Sequence, residues 1–376
     1  MTPDDHPAHP SGNSSLVSPP RLRLVFWETT AGCNLECVHC RRLEVSRELM
    51  KSDLTTGEGQ RLIEQIAAAD RPVLVFSGGE PLMRPDLFEL AAWARSRGLI
   101  IALASNGTLI DAAVARRIAD AGFDRVSISL DGADPDTHDR FRGRAGSFDL
   151  ALQALGNLHR CGVATQINCT IARHNVNQVR AVLELGERVK AAAVHYFLLV
   201  PVGCGETIAD EQMLDMNEVE DQLNLIWDLQ QQTTLQIKPT CAPHYYRVVR
   251  QRASQQYPPQ PLPHSGQGVL YSMTKGCLAG TAVCFISHRG EVFACGYLPV
   301  AAGDVRVENF GDIWRNSPLF RELRDPDRLT GKCGRCEFKA VCSGCRARAF
   351  YQFGDYLAQE PFCAYEPARN PKAHGT

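Results

Sequence analysis

Between residues 21 and 200 the sequence alternates short apolar runs with stretches of helical spacing, and this rhythm restricts the fold more than any other feature. The runs cover residues 22–27, 72–76, 99–103, 125–130, 164–171 and 194–200. Between them, residues 57–69, 85–97, 111–121 and 177–189 carry apolar side chains at helical intervals. Runs in which Val, Ile, Leu and Phe follow one another without polar alternation belong to strands covered on both faces. Six strand–helix repeats predict a parallel sheet with right-handed crossovers, an α/β fold curling toward a barrel. Six units fall short of the eight of a complete TIM barrel. The expectation is therefore a partial (β/α)6 TIM barrel with its chemistry at the C-terminal ends of the strands.

The chain is 376 residues long, enough for one large catalytic domain and an appendage. Residues 1–20 are polar and rich in Pro and Ser, and read as a disordered leader. Residues 21–235 hold the barrel, including a further helix over 217–232 with Val219, Leu223, Ile226 and Trp227 on one side. Residues 236–276 read as a connecting segment placed to contact substrate, and 277–376 as a second, cysteine-rich domain. A net charge of −2 gives no basic field for nucleic acid or anionic lipid. The sequence has no apolar run of membrane-spanning length and no signal-peptide core. The expected location is cytoplasmic, with no nucleic-acid or membrane partner.

Fifteen cysteines are far more than a cytosolic chain of this size needs for packing, and clustered thiols there are metal ligands first. Cys33, Cys37 and Cys40 follow the first strand with C-x3-C-x2-C spacing. Three thiolates on a four-iron cluster leave one iron without a protein ligand, an open position for chemistry. A zinc knuckle recruiting His39 is the other reading. A second constellation comprises Cys277, Cys284 and Cys295, then Cys333, Cys336, Cys342 and Cys345, and finally Cys363. Paired C-x2-C steps also suit structural zinc. Of the others, Cys161 and Cys169 read as core thiols, and Cys204, after the sixth strand, as a candidate to face the site.

The first loop resembles the radical S-adenosylmethionine (SAM) superfamily, and the resemblance continues along the barrel. Ser77-Gly78-Gly79-Glu80-Pro81 ends the second strand like the family's GGEP motif. Ser105-Asn106-Gly107, Ser127-Ile128-Ser129 and Asn168-Cys169-Thr170 follow at later strand ends. The resemblance implies that Cys33, Cys37 and Cys40 hold a [4Fe–4S] cluster that binds SAM. It also implies that Gly78, Gly79, Glu80, Ser105, Asn106, Ser127, Ser129, Asn168 and Thr170 contact SAM. Reductive cleavage of SAM would then generate a deoxyadenosyl radical able to take hydrogen from an unactivated carbon, with a flavodoxin or ferredoxin as electron donor. One departure is His39, where many members carry an aromatic residue beside the third cysteine. The C-terminal cysteines resemble the family's SPASM extension, although the last gap of the four-cysteine run holds two residues where three are usual. By that resemblance Cys277, Cys284, Cys295 and Cys345 hold one auxiliary [4Fe–4S] cluster, and Cys333, Cys336, Cys342 and Cys363 a second.

Two segments narrow the substrate. Residues 238–247 (KPTCAPHYYR), together with 296–300 and 345–349, resemble the heme synthases of the siroheme-dependent alternative heme pathway, and so does Arg41 after the third cysteine. That resemblance implies an iron porphyrin substrate, Fe-coproporphyrin III, with two propionates decarboxylated to vinyls. Arg41, Arg42, Lys238 and Arg247 are the cations available to pair with propionates, and His244 or Cys241 the candidates to approach the iron. The competing readings are a related porphyrin deacetylase or heme d1-type enzyme, a SPASM peptide maturase, and a zinc-stabilised adaptor.

Overall fold

The computed structural model describes residues 20–42, 48–255 and 275–368; the expected leader, residues 1–20, lies almost wholly outside them. Seven parallel strands form the barrel wall: β1 (Leu24–Glu28), β2 (Val73–Ser77), β3 (Ile101–Ser105), β4 (Arg125–Ser129), β5 (Thr165–Ile171), β6 (Ala193–Leu198) and β7 (Gln236–Thr240). Helices α1 (Thr56–Ala69), α2 (Leu87–Ser96), α3 (Ala112–Asp120), α4 (Pro135–Arg142), α5 (Ser147–Arg160) and α6 (Val179–Arg188) connect the first six.

Local chemistry sets the boundaries. Thr55 and Glu58 close a reciprocal capping box on α1, Thr55 N–H donating to the Glu58 carboxylate at 2.8 Å. Asp111 accepts from two backbone N–H groups at the start of α3, and Asp134 precedes Pro135 at the start of α4. The expected α/β architecture is present, and it runs one strand beyond six. Residues 236–240, placed by sequence in a connecting segment, pair with β6 as β7, and the helix Tyr245–Gln255 follows.

The C-terminal region extends the same sheet from its other edge. Strand β8 (Val283–Ile286) pairs parallel with β1, and β9 (Glu291–Phe293) and β10 (Ala301–Asp304) follow antiparallel. The order is β10-β9-β8-β1-β2-β3-β4-β5-β6-β7. Packing is continuous as well: Phe310, Trp314 and Phe320 join the same apolar core as Trp27, Phe76 and Ile128. The cysteine-rich C-terminal region thus has a share in the barrel's core. No helix among the described residues is long and apolar enough to cross a membrane.

Candidate active site and metal centres

The loop after β1 is pinned to the end of β2. Thr29 N–H donates to Ser77 O (2.8 Å), Gly79 N–H to Thr30 O (2.9 Å) and Glu80 N–H to Gly32 O (2.7 Å). A Cβ on Gly79 would stand 2.3 Å from Gly32 O, and one on Gly78 2.7 Å from Thr30 O. The missing Cβ atoms of the two glycines let the backbone of the chain's own cysteine loop approach. The loop brings three thiols together, since Cys37 and Cys40 both act on Cys33. Burial pushes Cys33 up to about 11 and raises Cys37 as well. A metal must therefore supply the driving force for deprotonation.

Side chains that spacing could not identify reach these sulfurs. Arg142 Nη1 donates to Cys37 Sγ at 3.7 Å, and Asn106 Nδ2 lies 4.0 Å from Cys33 Sγ. Arg142 is held by Asp131, fully buried at 2.6 Å, which also accepts from Thr170 N–H at 2.6 Å and faces His39 Nε2 at 3.5 Å. The His39 ring stacks on Phe141 at 4.0 Å, and His174 covers the other face at 3.8 Å. Burial pulls His39 down to about 3, so its ring is neutral.

Glu80 is fully buried and accepts from Ser105 Oγ (2.9 Å), Asn106 N–H (2.8 Å) and Leu82 N–H (3.2 Å). Burial raises its carboxyl to about 7 against those donors. Ser105 and Asn106 are thus gathered onto Glu80. Ser127 Oγ donates to Leu103 O at 3.3 Å, and Ser129 and Asn168 lie opposite each other across β4 and β5.

The substrate candidates are placed differently. Arg41 and Arg42 both pair with Glu28, and Arg41 also lies over the Phe285 ring at 4.3 Å. Arg247 is engaged by Glu220 and by Gln251 (2.7 Å), beside the Tyr365 ring. His244 is fully buried near Glu360 and Arg348, and burial lowers it to about 4.

Another cationic group faces the barrel interior. Ile167, Cys169, Val194, Tyr196 and Ile237 enter the outer core. The alternate residues Asn168, His195 and Lys238 therefore point inward, and they stand side by side in register. Gln166 bridges Asn168 (2.7 Å) and His195 (3.0 Å), and Lys238 and Arg125 both act on the His195 ring.

The C-terminal cysteines form two groups. Cys363 and Cys333 act on Cys342, and Cys333 on Cys336. Glu360 N–H donates to Cys333 Sγ (3.2 Å) and Gly344 N–H to Cys342 Sγ (3.4 Å). In the other group, Cys277 and Cys345 act on Cys295, and Cys277 on Cys345. Cys284 is not among them. It sits in β8 opposite Val25, fully buried in the apolar core, with Arg324 as the charged group acting on it. Burial first, then Cys345 and Cys295, push the Cys241 thiol up, and Cys277 adds to this while Arg348 opposes it. Of the remaining thiols, Cys169 is buried in the core with Cys161 packed against it, and Cys204 Sγ donates to Arg42 O at 2.9 Å.

Residues 27–186 match the radical SAM superfamily, and residues 277–346 match SPASM, an iron–sulfur cluster-binding domain. The chain is 44% identical over 347 residues to the AdoMet-dependent heme synthase of Methanosarcina barkeri (strain Fusaro / DSM 804), covering 92% of this chain and 97% of that protein. The chain belongs to the radical SAM superfamily. A second AdoMet-dependent heme synthase, from Nitratidesulfovibrio vulgaris (strain Hildenborough), is 42% identical over 365 residues, covering 96% of this chain and 98% of that protein. The fold matches that of Streptococcus suis SuiB bound to its precursor peptide SuiA, with a TM-score of 0.72 at 15% identity over 93% of this chain and 77% of that one. As a radical SAM enzyme, the protein binds a [4Fe–4S] cluster and SAM in its barrel and auxiliary iron–sulfur clusters through its SPASM domain. The N–H donors to the sulfurs of Cys37, Cys333 and Cys342 fit such groups.

Proposed function

We propose that the protein decarboxylates two propionates of Fe-coproporphyrin III to vinyls, yielding heme b. The observation that carries this reading is the near full-length identity to proteins named AdoMet-dependent heme synthase. The barrel interior supports it. Arg125 and Lys238 bring positive charge to the inner wall beside the His195 ring, the charge that a propionate needs.

In this reading Cys33, Cys37 and Cys40 hold the SAM-binding cluster, and Glu80, Ser105, Asn106, Ser127, Ser129, Asn168 and Thr170 border the SAM site. Gly78 and Gly79 hold the loop in place beneath it. When bound, the cluster with SAM supplies a hydrogen-abstracting radical, and the auxiliary clusters supply an electron sink. Each propionate loses one β-hydrogen, carbon dioxide and one electron as it becomes a vinyl group, so two SAM are consumed per heme. Inner-wall cations hold one carboxylate while the next side chain reacts, and the stacked His39, Phe141 and His174 brace the cluster loop against movement. A flavodoxin or ferredoxin delivers the reducing electron, and the oxygen sensitivity of an open iron places the enzyme in the cytoplasm.

The test is an anaerobic assay of reconstituted, reduced enzyme with SAM and Fe-coproporphyrin III, read by mass spectrometry. The reading requires two successive losses of carbon dioxide plus two hydrogens from the porphyrin, with deoxyadenosine formed alongside. Deoxyadenosine with an unchanged porphyrin mass overturns the substrate assignment.

A further inference from the structure

We propose that Cys241, from the end of β7, is the fourth thiolate of the auxiliary cluster held by Cys277, Cys295 and Cys345, in place of Cys284. This concerns the SPASM cluster and is independent of which substrate the barrel takes.

Three observations lead there. The first is placement. β7 ends at Thr240 and delivers Cys241 to the segment that meets the C-terminal region. The backbones meet at that point: a Cβ on Gly276 would stand 2.7 Å from Pro243 O and 2.5 Å from Cys342 O, and Cys277 N–H donates to Cys342 O at 3.0 Å. The second is the state of the neighbouring groups. Thr240 Oγ1 and both ring nitrogens of His244 are buried without hydrogen-bond partners among the described residues. Buried polar atoms are rarely left in that state, and here they belong to the residues before and shortly after Cys241 in the chain. The third is the exclusion of Cys284. Its neighbour Phe285 carries the Arg41 contact, so strand alternation turns Cys284 to the other face of β8, where Arg324 is the charged group that acts on it.

The consequence is chemical. Four cysteine ligands leave no open iron, so this cluster passes electrons and does not bind substrate. Arg348, paired with the buried Glu360 carboxylate, also acts on Cys345 and Cys241. The ligand set also ties the last barrel strand to the C-terminal region through iron.

The experiment starts from full-length protein with Cys33, Cys37 and Cys40 all changed to Ala, which isolates the auxiliary sites. This parent should hold about eight irons, four for each cluster. Cys284→Ala added to it should leave iron and EPR spectrum unchanged. Cys241→Ala should either halve the iron or, with iron retained, yield a three-iron EPR signal on mild oxidation that the parent lacks. Should the alanine variant misfold, Cys241→Ser supplies the readout, as a shifted EPR spectrum of the reduced cluster in protein with parental circular dichroism. Parental iron and spectrum in the Cys241 variants, or loss of a cluster with Cys284→Ala alone, overturns the proposal. A parent without iron would instead show that these cysteines hold no auxiliary cluster at all.

Discussion

Replacing Glu28 with Gln should destabilise the fold by breaking a buried ion pair. Glu28 ends β1 with 2% exposure. Its carboxylate accepts from Arg41, from Arg42 Nη1 at 2.8 Å, and from the His288 backbone N–H at 3.3 Å, with His288 Nδ1 at 2.9 Å. One side chain therefore joins the cysteine loop after β1 to the turn between β8 and β9. Burial disfavours its charge, yet Arg41, His288 and Arg42 hold the carboxyl well below the usual range. Removing one partner of a buried pair costs about 3–5 kcal/mol. Arg41 keeps 25% and Arg42 13% exposure, so water can partly replace the lost charge, and the lower end, about 3 kcal/mol, applies. Urea unfolding of Glu28→Gln beside the wild type reads this as a lowered midpoint. The control is Arg315→Ala, whose pair with Asp312 is half exposed or more and should contribute at most about 0.5 kcal/mol. The stabilisation by Glu28 should be complete above about pH 4.5, its unfolded value, and shrink as the pH falls below that. A Glu28→Gln midpoint equal to that of Arg315→Ala would refute the reasoning.

Gly79→Ala should cost the catalytic cluster, because its Cβ would stand 2.3 Å from Gly32 O. Iron analysis should show about four irons fewer per chain, and full loading would contradict this. Arg142→Gln removes a cation and a donor from Cys37 Sγ, which should lower the midpoint potential of that cluster in an EPR-monitored titration; an unchanged potential would mean that Arg142 acts on Asp131 alone. Chelating the iron should raise amide exchange across residues 331–345 before β2–β6, because ligand loops depend on metal for folding energy while the barrel core does not. Uniform exchange across the chain would argue against that division.

Much of the barrel was legible because β1–β3 are largely apolar and β4–β6 keep apolar residues at every second position. β7 was not: Gln236-Ile237-Lys238-Pro239-Thr240 has few apolar residues, because its inward residues line a polar interior and it pairs with β6 alone. The strand-end Ser, Asn and Glu80 could be located by pattern, but not the partners that Glu80 recruits. Charge could be read for Arg41 and Arg247, whereas Glu28 and Glu220 meet them only through folding. The resemblance carried Cys284 into a ligand set by order, and a count of intervening residues cannot tell which face of β8 a side chain takes. Cys241 was visible as a cysteine in a distinctive segment. Its companions were not, because they lie across the segment from residue 256 to 274 and on the far edge of the sheet.

The most direct test of the proposed reaction uses Fe-coproporphyrin III deuterated at the propionate β-carbons. With reconstituted, reduced enzyme and SAM, the deoxyadenosine should gain one deuterium for each vinyl group formed. Unlabelled deoxyadenosine beside intact tetracarboxylate would contradict the account.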